Sequence, residues 1–407
     1  MPDIPDNATR LSPTGIEELR EIVQAAVSAG EPLSVEGTGS KRGLGRPVQA
    51  ARTLSTEAIG GILFYEPEEL VLSARAGTPM AEIEALLSER GQRLEFEPID
   101  YGPLHGLEPG LGTLGGTIAC NLSGPRRISR GAARDHILGL GGVSGRGEIF
   151  KAGGRVVKNV TGYDLSKGIT GSFGTLAVMS EATIKVMPQT EAETTLVLRG
   201  LSDEEATGAM AAAMGSSAEV SGAAHLPYGV AARVLDGAFG REAATILRLE
   251  GFGPSVAARQ DYLGRALERV GRLERIEGDA SRALWRDIRD VRPFWGEPHR
   301  AVWRLSLTPT RGHELVMALR MSSAAEAFYD WQGGLVWLRM EYGVDAERIR
   351  ALVRQYGGGH ATLVRASESE RASTPVFHPQ PAPLAALSRR LKDQFDPAGI
   401  LNPGRMG

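Results

Sequence analysis

The chain has 407 residues, 42% of them hydrophobic and 23% charged, with a net charge of −3; that length exceeds what one core usually fills, so two domains are expected. No stretch approaches the roughly eighteen consecutive apolar residues of a membrane span, and the Lys and Arg residues are dispersed rather than gathered into a nucleic-acid-binding stripe. A single cysteine, Cys120, excludes internal disulfides and a protein-held iron–sulfur cluster, which needs about four thiolates.

The opening residues, Met1 to Arg10, carry neither the basic nor the apolar region of an export signal, so a cytoplasmic location is expected. A first helix is predicted from Thr14 to Ala29, with Thr14 and Glu17 spaced as a capping box, Ile16, Leu19, Val23 and Ala26 on one face, and Gly30 as the stop. Strands are predicted at Pro32 to Glu36, Ile62 to Tyr65 and Leu70 to Ala74. Thr78 and Pro79 then open a second helix, closed by Gly91, with Pro79 at the first helical position. The glycine-rich stretch from Gly102 to Gly124 reads as a long ordered loop that must pass close to something. An alternating strand from Leu176 to Val186 ends at Pro188, and a segment rich in Ala, Glu and Ser follows, which places a domain boundary near residue 190. Beyond it an internal echo, Ile246 to Pro254 and Val302 to Pro309, reads twice as strand, Pro turn and helix. With a strand at Gly334 to Met340, a helix at Ala346 to Tyr356 and a strand at His360 to Arg365, this predicts an antiparallel or mixed sheet with helices on one face. A helix from Pro383 to Gln394 and a tail of turns to Gly404 follow.

The strand ending at Glu36 runs directly into Gly37 to Gly45, where glycines let successive backbone N–H groups converge into an anion nest; a glycine run alone reads equally well as a surface turn. The segment Gly110 to Gly115 formally matches the dinucleotide fingerprint GxGxxG. It neither follows a buried strand nor precedes an acidic residue in a second strand about twenty positions on, so the Rossmann reading is set aside.

Four motifs in order, Gly37 to Gly45, Gly112 to Gly124, Arg134 to Gly139 and Gly171 to Val178, resemble the FAD-binding domain of the p-cresol methylhydroxylase (vanillyl-alcohol oxidase) type across residues 10 to 190. The resemblance implies an α+β fold with a two-part FAD-binding domain over residues 1–190, an α+β cap with a ferredoxin-like sheet and helices on one face over 191–370, and a C-terminal segment, 371–407, that returns to the flavin domain. It implies cofactor contacts from Gly37, Thr38, Gly39, Ser40, Lys41, Gly115, Gly116, Thr117, Asn121, Asp135, Gly174, Thr175 and Val178. In the family the first loop wraps the pyrophosphate, the second and third line the ribityl chain and the flavin ring, and the last lies on the adenine side. Covalent members carry a histidine where Ser40 stands, so the FAD is expected to be non-covalent. Cys120, among small and apolar neighbours, reads as packing. Within the family, Gly153 to Leu165, Trp331 to Trp337 and Phe395 to Gly404 resemble the FAD-binding subunit of bacterial glycolate oxidase. That likeness implies oxidation of glycolate or a related small 2-hydroxy acid in a complex with a homologous flavin subunit and an iron–sulfur subunit, and membrane association only through those partners.

Oxidation of a 2-hydroxy acid by flavin needs a cation for the carboxylate, a base for the hydroxyl proton and the α-hydrogen aimed at the flavin. Arginine suits the first task, and Arg289, Arg292, Arg304, Arg339 and Arg365 are the pool, of which Arg304 and Arg365 are carried forward. His360 follows three glycines at the start of a strand and is the candidate base. The paired-histidine motif that the resemblance implies for the related catalytic subunit has no counterpart here, and no metal is expected. A subunit that acts only within a complex is therefore favoured over two alternatives: a self-sufficient FAD oxidoreductase for another hydroxy acid or alcohol, and a flavin-binding scaffold without catalysis. Lys158 and Tyr163 read as either an electron-transfer contact or a structural turn.

Overall fold

The computed structural model describes residues 9–154 and 163–407; the expectation for Lys158 lies outside them. The first helix, Ile16–Ala29, buries Leu19, Val23 and Ala26 against Leu33 and Leu54 of a small parallel sheet, in which Arg52–Ser55 pairs on one side with Thr9–Leu11 and on the other with Leu33–Glu36. Gly30 ends the helix at φ 64°, the left-handed conformation that glycine adopts without strain. The N-terminal box is displaced by one residue. Gly15 is the cap, and the Thr14 N–H donates to Glu18 rather than Glu17, at 2.8 Å.

A five-stranded antiparallel sheet follows, ordered Ile62–Glu66, Val71–Arg75, Ala177–Lys185, Ile137–Ser144, Ile149–Gly153. Helix Met80–Glu89 packs Met80, Ile83 and Leu87 on it, with Pro79 one place earlier than expected, as the cap. The stretch expected to be a loop between Gly102 and Gly124 contains a helix, Leu114–Ala119. Two glycines in six residues give it poor intrinsic propensity, yet Gly115 lets the backbone press on Ala76, where a Cβ would stand 2.9 Å from the Ala76 Cβ. Tertiary packing wins over propensity there.

The second half is built on one eight-stranded, wholly antiparallel sheet ordered Leu273–Glu277, Ala192–Arg199, Ala244–Gly251, Gly222–Leu226, Ala325–Asp330, Leu335–Met340, Val302–Leu307, Gly359–Arg365. In chain order this is a βαββαβ ferredoxin-like unit occurring twice, each with order 4-1-3-2, joined through their second strands at His225 and Tyr329. The internal echo was therefore a sign of a true repeat, but it paired the wrong members: Ala244–Gly251 is third in its unit and Val302–Leu307 is first.

Helices Asp203–Met214 and Gly253–Leu267 cover one face of the first unit, and Gly312–Arg320 and Ala346–Gln355 cover the second. The period-2 alternation sends Leu196 and Leu198 into that layer and Val197 to the opposite face. A further helix, Gly278–Arg289, lies on that opposite face, where Leu284, Trp285 and Ile288 share a core with Ile99, Tyr101, Leu104 and Leu122 of the flavin half. The molecule is thus an α+β FAD-binding fold followed by a sheet-and-helix cap, with one common core between them. After helix Ala382–Phe395 the chain returns to the first strands: the Leu33 N–H donates to Ile400 O at 2.8 Å, and the Val35 N–H donates to Asn402 Oδ1 at 2.8 Å.

Candidate functional site: two adjoining cavities between flavin half and cap

Strand Leu33–Glu36 delivers the loop Gly37 to Gly45 to the edge of a cavity, and helix Leu114–Ala119 delivers the second motif to the facing wall. Gly37 must be glycine, because a Cβ would stand 2.6 Å from Thr113 Oγ1. Thr38 Oγ1 donates to Leu111 O at 2.5 Å, stitching the two loops together. Of the expected cofactor residues, Gly37, Thr38, Gly39, Ser40, Lys41, Gly115, Gly116, Gly174 and Val178 line this first cavity. Four others do not. Thr117 is buried in its helix, Thr175 Oγ1 donates to Ser172 O, Asp135 accepts from the Ala132 N–H, and Asn121 faces a second cavity.

The charge pattern of the first cavity suits a diphosphate. Glu36, its one lining acid, is already neutralised by Arg42 and Arg10 at 2.7 and 3.0 Å. Among the described residues, Lys41 and Arg405, both buried on the wall, have no ion-pair carboxylate, and Arg405 Nε has no acceptor. Burial pushes the Lys41 ammonium below its ordinary range, as expected for a cation awaiting a counter-charge. Ser40 is buried on the same wall and offers no ring nitrogen for a flavin bond.

The second cavity, about 220 Å³, shares Cys120 and Phe173 with the first and is closed on the cap side by Arg304, Thr362 and Val364. Cys120, read as a packing residue, thus lies on the wall between the two, and burial raises its thiol pKa so that it stays protonated. Three arginines reach this cavity: Arg304 from the cap, and Arg127 and Arg134 from the flavin half. Arg127 and Arg304 both lie over the Trp331 ring, each 4.8 Å from its centroid. Trp331 and Gln332 have consecutive positive φ values of 51° and 63°, a strained turn held by the Asp330 carboxylate accepting from the Trp331 N–H at 2.7 Å and by Trp331 Nε1 donating to Gly124 O at 3.1 Å.

The other catalytic candidates lie elsewhere. Arg365 donates to the carbonyls of Leu104, Phe294 and Arg300, at 2.8 to 2.9 Å, and so pins loops rather than facing a cavity. His360 sits exposed at the end of its strand, its ring 5.7 Å from that of His378, because the strand runs past the cavity that Thr362 and Val364 line. Arg289, Arg292 and Arg339 are each paired with acids. Tyr163 is at the surface. Arg127, Trp331 and Arg405 went unread in the sequence as site residues; the only local signal was a pair of arginines after the Gly124 turn.

A fold that sets a glycine-walled cavity beside a cationic one, beneath a repeated ferredoxin-like cap, defines the class of FAD-linked oxidoreductases. The family model "FAD binding domain" matches residues 8–153. Glycolate oxidase subunit GlcE of Escherichia coli is 36% identical over 391 residues, covering 96% of this chain and 97% of that protein. An uncharacterized FAD-linked oxidoreductase of Mycobacterium tuberculosis is 26% identical over 96% of this chain and 89% of its own length. Crystalline p-cresol methylhydroxylase with substrate bound superposes with a TM-score of 0.72, covering 99% of this chain and 90% of that one at 14% identity, a likeness of fold. The chain belongs to the p-cresol methylhydroxylase-type FAD-binding family and is closely related to bacterial GlcE-type subunits.

Proposed function

We propose that this chain is the FAD-binding subunit of a glycolate oxidase or dehydrogenase complex, taking part in the oxidation of glycolate or a related small 2-hydroxy acid beside a homologous flavin subunit and an iron–sulfur subunit. The observation that carries the reading is the wall common to the two cavities, Cys120 and Phe173, which sets a cationic chamber directly against the flavin cradle. The residues that would hold FAD are those named above on the first cavity, where Lys41 and Arg405 would supply positive charge for the diphosphate. Bound FAD supplies the acceptor for the hydride of the acid's α-carbon. The chain's own part is to hold that acid and exclude water with the apolar lining of Leu44, Ile99, Leu122, Val364 and Phe377. The described lining contains no Asp, Glu or His, and its titratable groups besides the arginines, Tyr101 and Cys120, are both pushed up by burial and remain protonated. A chamber with no base at neutral pH favours a subunit that depends on its partners. The division of the chain near residues 190 and 370 belongs to the same reading.

The test is anaerobic addition of glycolate to the purified chain, alone and reconstituted with both partner subunits, while the flavin band is followed. Flavin bound to the lone chain and reduced only after partners are added is the expected result. Reduction of the lone chain at the rate of the complex would make it a self-sufficient oxidoreductase, and a chain that takes up no FAD would end the proposal.

A further inference from the structure

Seven arginines lie over aromatic rings among the described residues, and five of them have a conventional partner as well. Arg199, Arg248, Arg311 and Arg339 each also bind a carboxylate, and Arg350 donates to the carbonyls of Pro375 and Phe377. Arg127 and Arg304 are the exceptions. Neither guanidinium has a hydrogen-bond or ion-pair partner among the described residues, although both line the second cavity and share one ring. Arg304 lies deep in the protein and yet keeps accessible surface, because the surface it keeps faces that cavity.

Two like charges set against one ring on the wall of one cavity, neither with an ion pair among the described residues, are stabilised by an anion that reaches both. Burial lowers the pKa of both guanidinium groups, and the Arg304 charge lowers that of Arg127 further, while Asp135 beyond Arg127 and Tyr101 and Asp330 beyond Arg304 offset only part of this. The strained turn at Trp331 and Gln332 is the structural cost of holding the ring where both guanidinium planes can rest on it. With no hydrogen-bond partner among the described residues, the N–H donors of each fork are left to meet a planar oxyanion. The rest of the lining is mostly apolar, so the charged end of an acid held there is directed to the two guanidinium groups.

We propose that Arg127, Arg304 and Trp331 form the anchor for the carboxylate of a small carboxylic acid, with Arg127 and Arg304 as the binding cations and Trp331 as the positioning residue. This deepens the reading of the second cavity as the substrate chamber and rests on it. Oxalate is the probe, because it carries the carboxylate of a 2-hydroxy acid and has no α-hydrogen to lose. Calorimetric titration of the FAD-loaded chain with oxalate is expected to show one site. Arg304→Met and Arg127→Met should each weaken it by about 30-fold or more, while Arg304→Lys restores part of the affinity and all three variants keep the wild-type melting temperature within a few degrees. Sulfate at the same ionic strength should bind far more weakly.

Oxalate binding that is absent, or equal in wild type and both Met variants, overturns the anchor even if glycolate reduces the flavin in the complex. Sulfate bound as tightly as oxalate overturns its assignment to a carboxylate. Arginine-dependent oxalate binding in a chain whose flavin no hydroxy acid reduces, with or without partners, would uphold the anchor and end the proposed function instead.

Discussion

Lys41 shows how one residue turns a neutral amide nest into a site with a preferred charge. Converging N–H groups can hold a diphosphate by themselves, but a buried ammonium with no ion pair among the described residues would add a charge-assisted bond to it. Lys41→Met is expected to weaken FAD binding by about 10- to 100-fold, read by titrating the apoprotein with FAD and following flavin fluorescence; an unchanged affinity would remove Lys41 from the cradle. Arg365 illustrates the opposite case. Its chemistry suited a carboxylate, but three backbone carbonyls had first claim on it, because loops meeting in the interior carry orphan acceptors that a buried guanidinium can satisfy.

Within single elements, the hairpin of strands Ala325–Asp330 and Leu335–Met340 stores backbone strain at the turn between them. Asp330 closes that turn with a carboxylate accepting from the Trp331 N–H, and burial pushes its pKa from the ordinary 3.8 up to about 7. A folded-state pKa above the unfolded one means the folded state prefers the protonated acid, so stability is kept below about pH 4 and lost as pH rises towards 7. Asp330→Asn keeps an oxygen for the Trp331 N–H and has no proton to lose. It should therefore gain on the wild type between pH 4 and pH 8, by up to about 4 kcal/mol, in urea midpoints measured across that range. A difference that does not change with pH would show that Asp330 is not the titrating group. Helix Leu114–Ala119 belongs to this scale as well: its glycines argue against a helix locally and make it possible globally, since only a bare Cα fits against Ala76.

At the scale of the molecule, cap and flavin half are tied by a buried ion network as well as by the shared core. Glu250 of the cap receives Arg93 and Arg126 of the flavin half, each at 2.7 Å, while Glu97 of the flavin half receives Arg248 of the cap at 2.8 Å and Arg126 at 2.9 Å. The clustered guanidinium groups hold both carboxyls below their usual range. Glu250→Gln takes one carboxylate from Arg93 and Arg126, which keep Glu95 and Glu97 respectively, so the buried positive charge is left under-compensated rather than unpaired and the cost should fall towards the lower end of the roughly 3–5 kcal/mol typical of breaking a buried pair. The variant should unfold in urea at a markedly lower midpoint, and a loss under about 1 kcal/mol would mean that the shared apolar core alone joins the halves.

By itself the sequence determined the parts whose physics is local. Glycines that let amides converge, a strand that ends in them and the alternation of strand with helix all depend on neighbours a few residues away, while the FAD-binding fold, its cofactor and the meaning of Ser40 in place of an attaching histidine came from the resemblance of four ordered motifs. Only the tertiary structure decided which residues face one another across the fold. Arg127, Arg304 and Trp331 come together from both halves of the chain, the ferredoxin-like repeat pairs strands that the echo had mismatched, and His360 lies beyond the cavity its strand helps to wall. The reason is physical: an arginine's role is set by the acceptor it finds in space, and packing of the two halves chooses that acceptor.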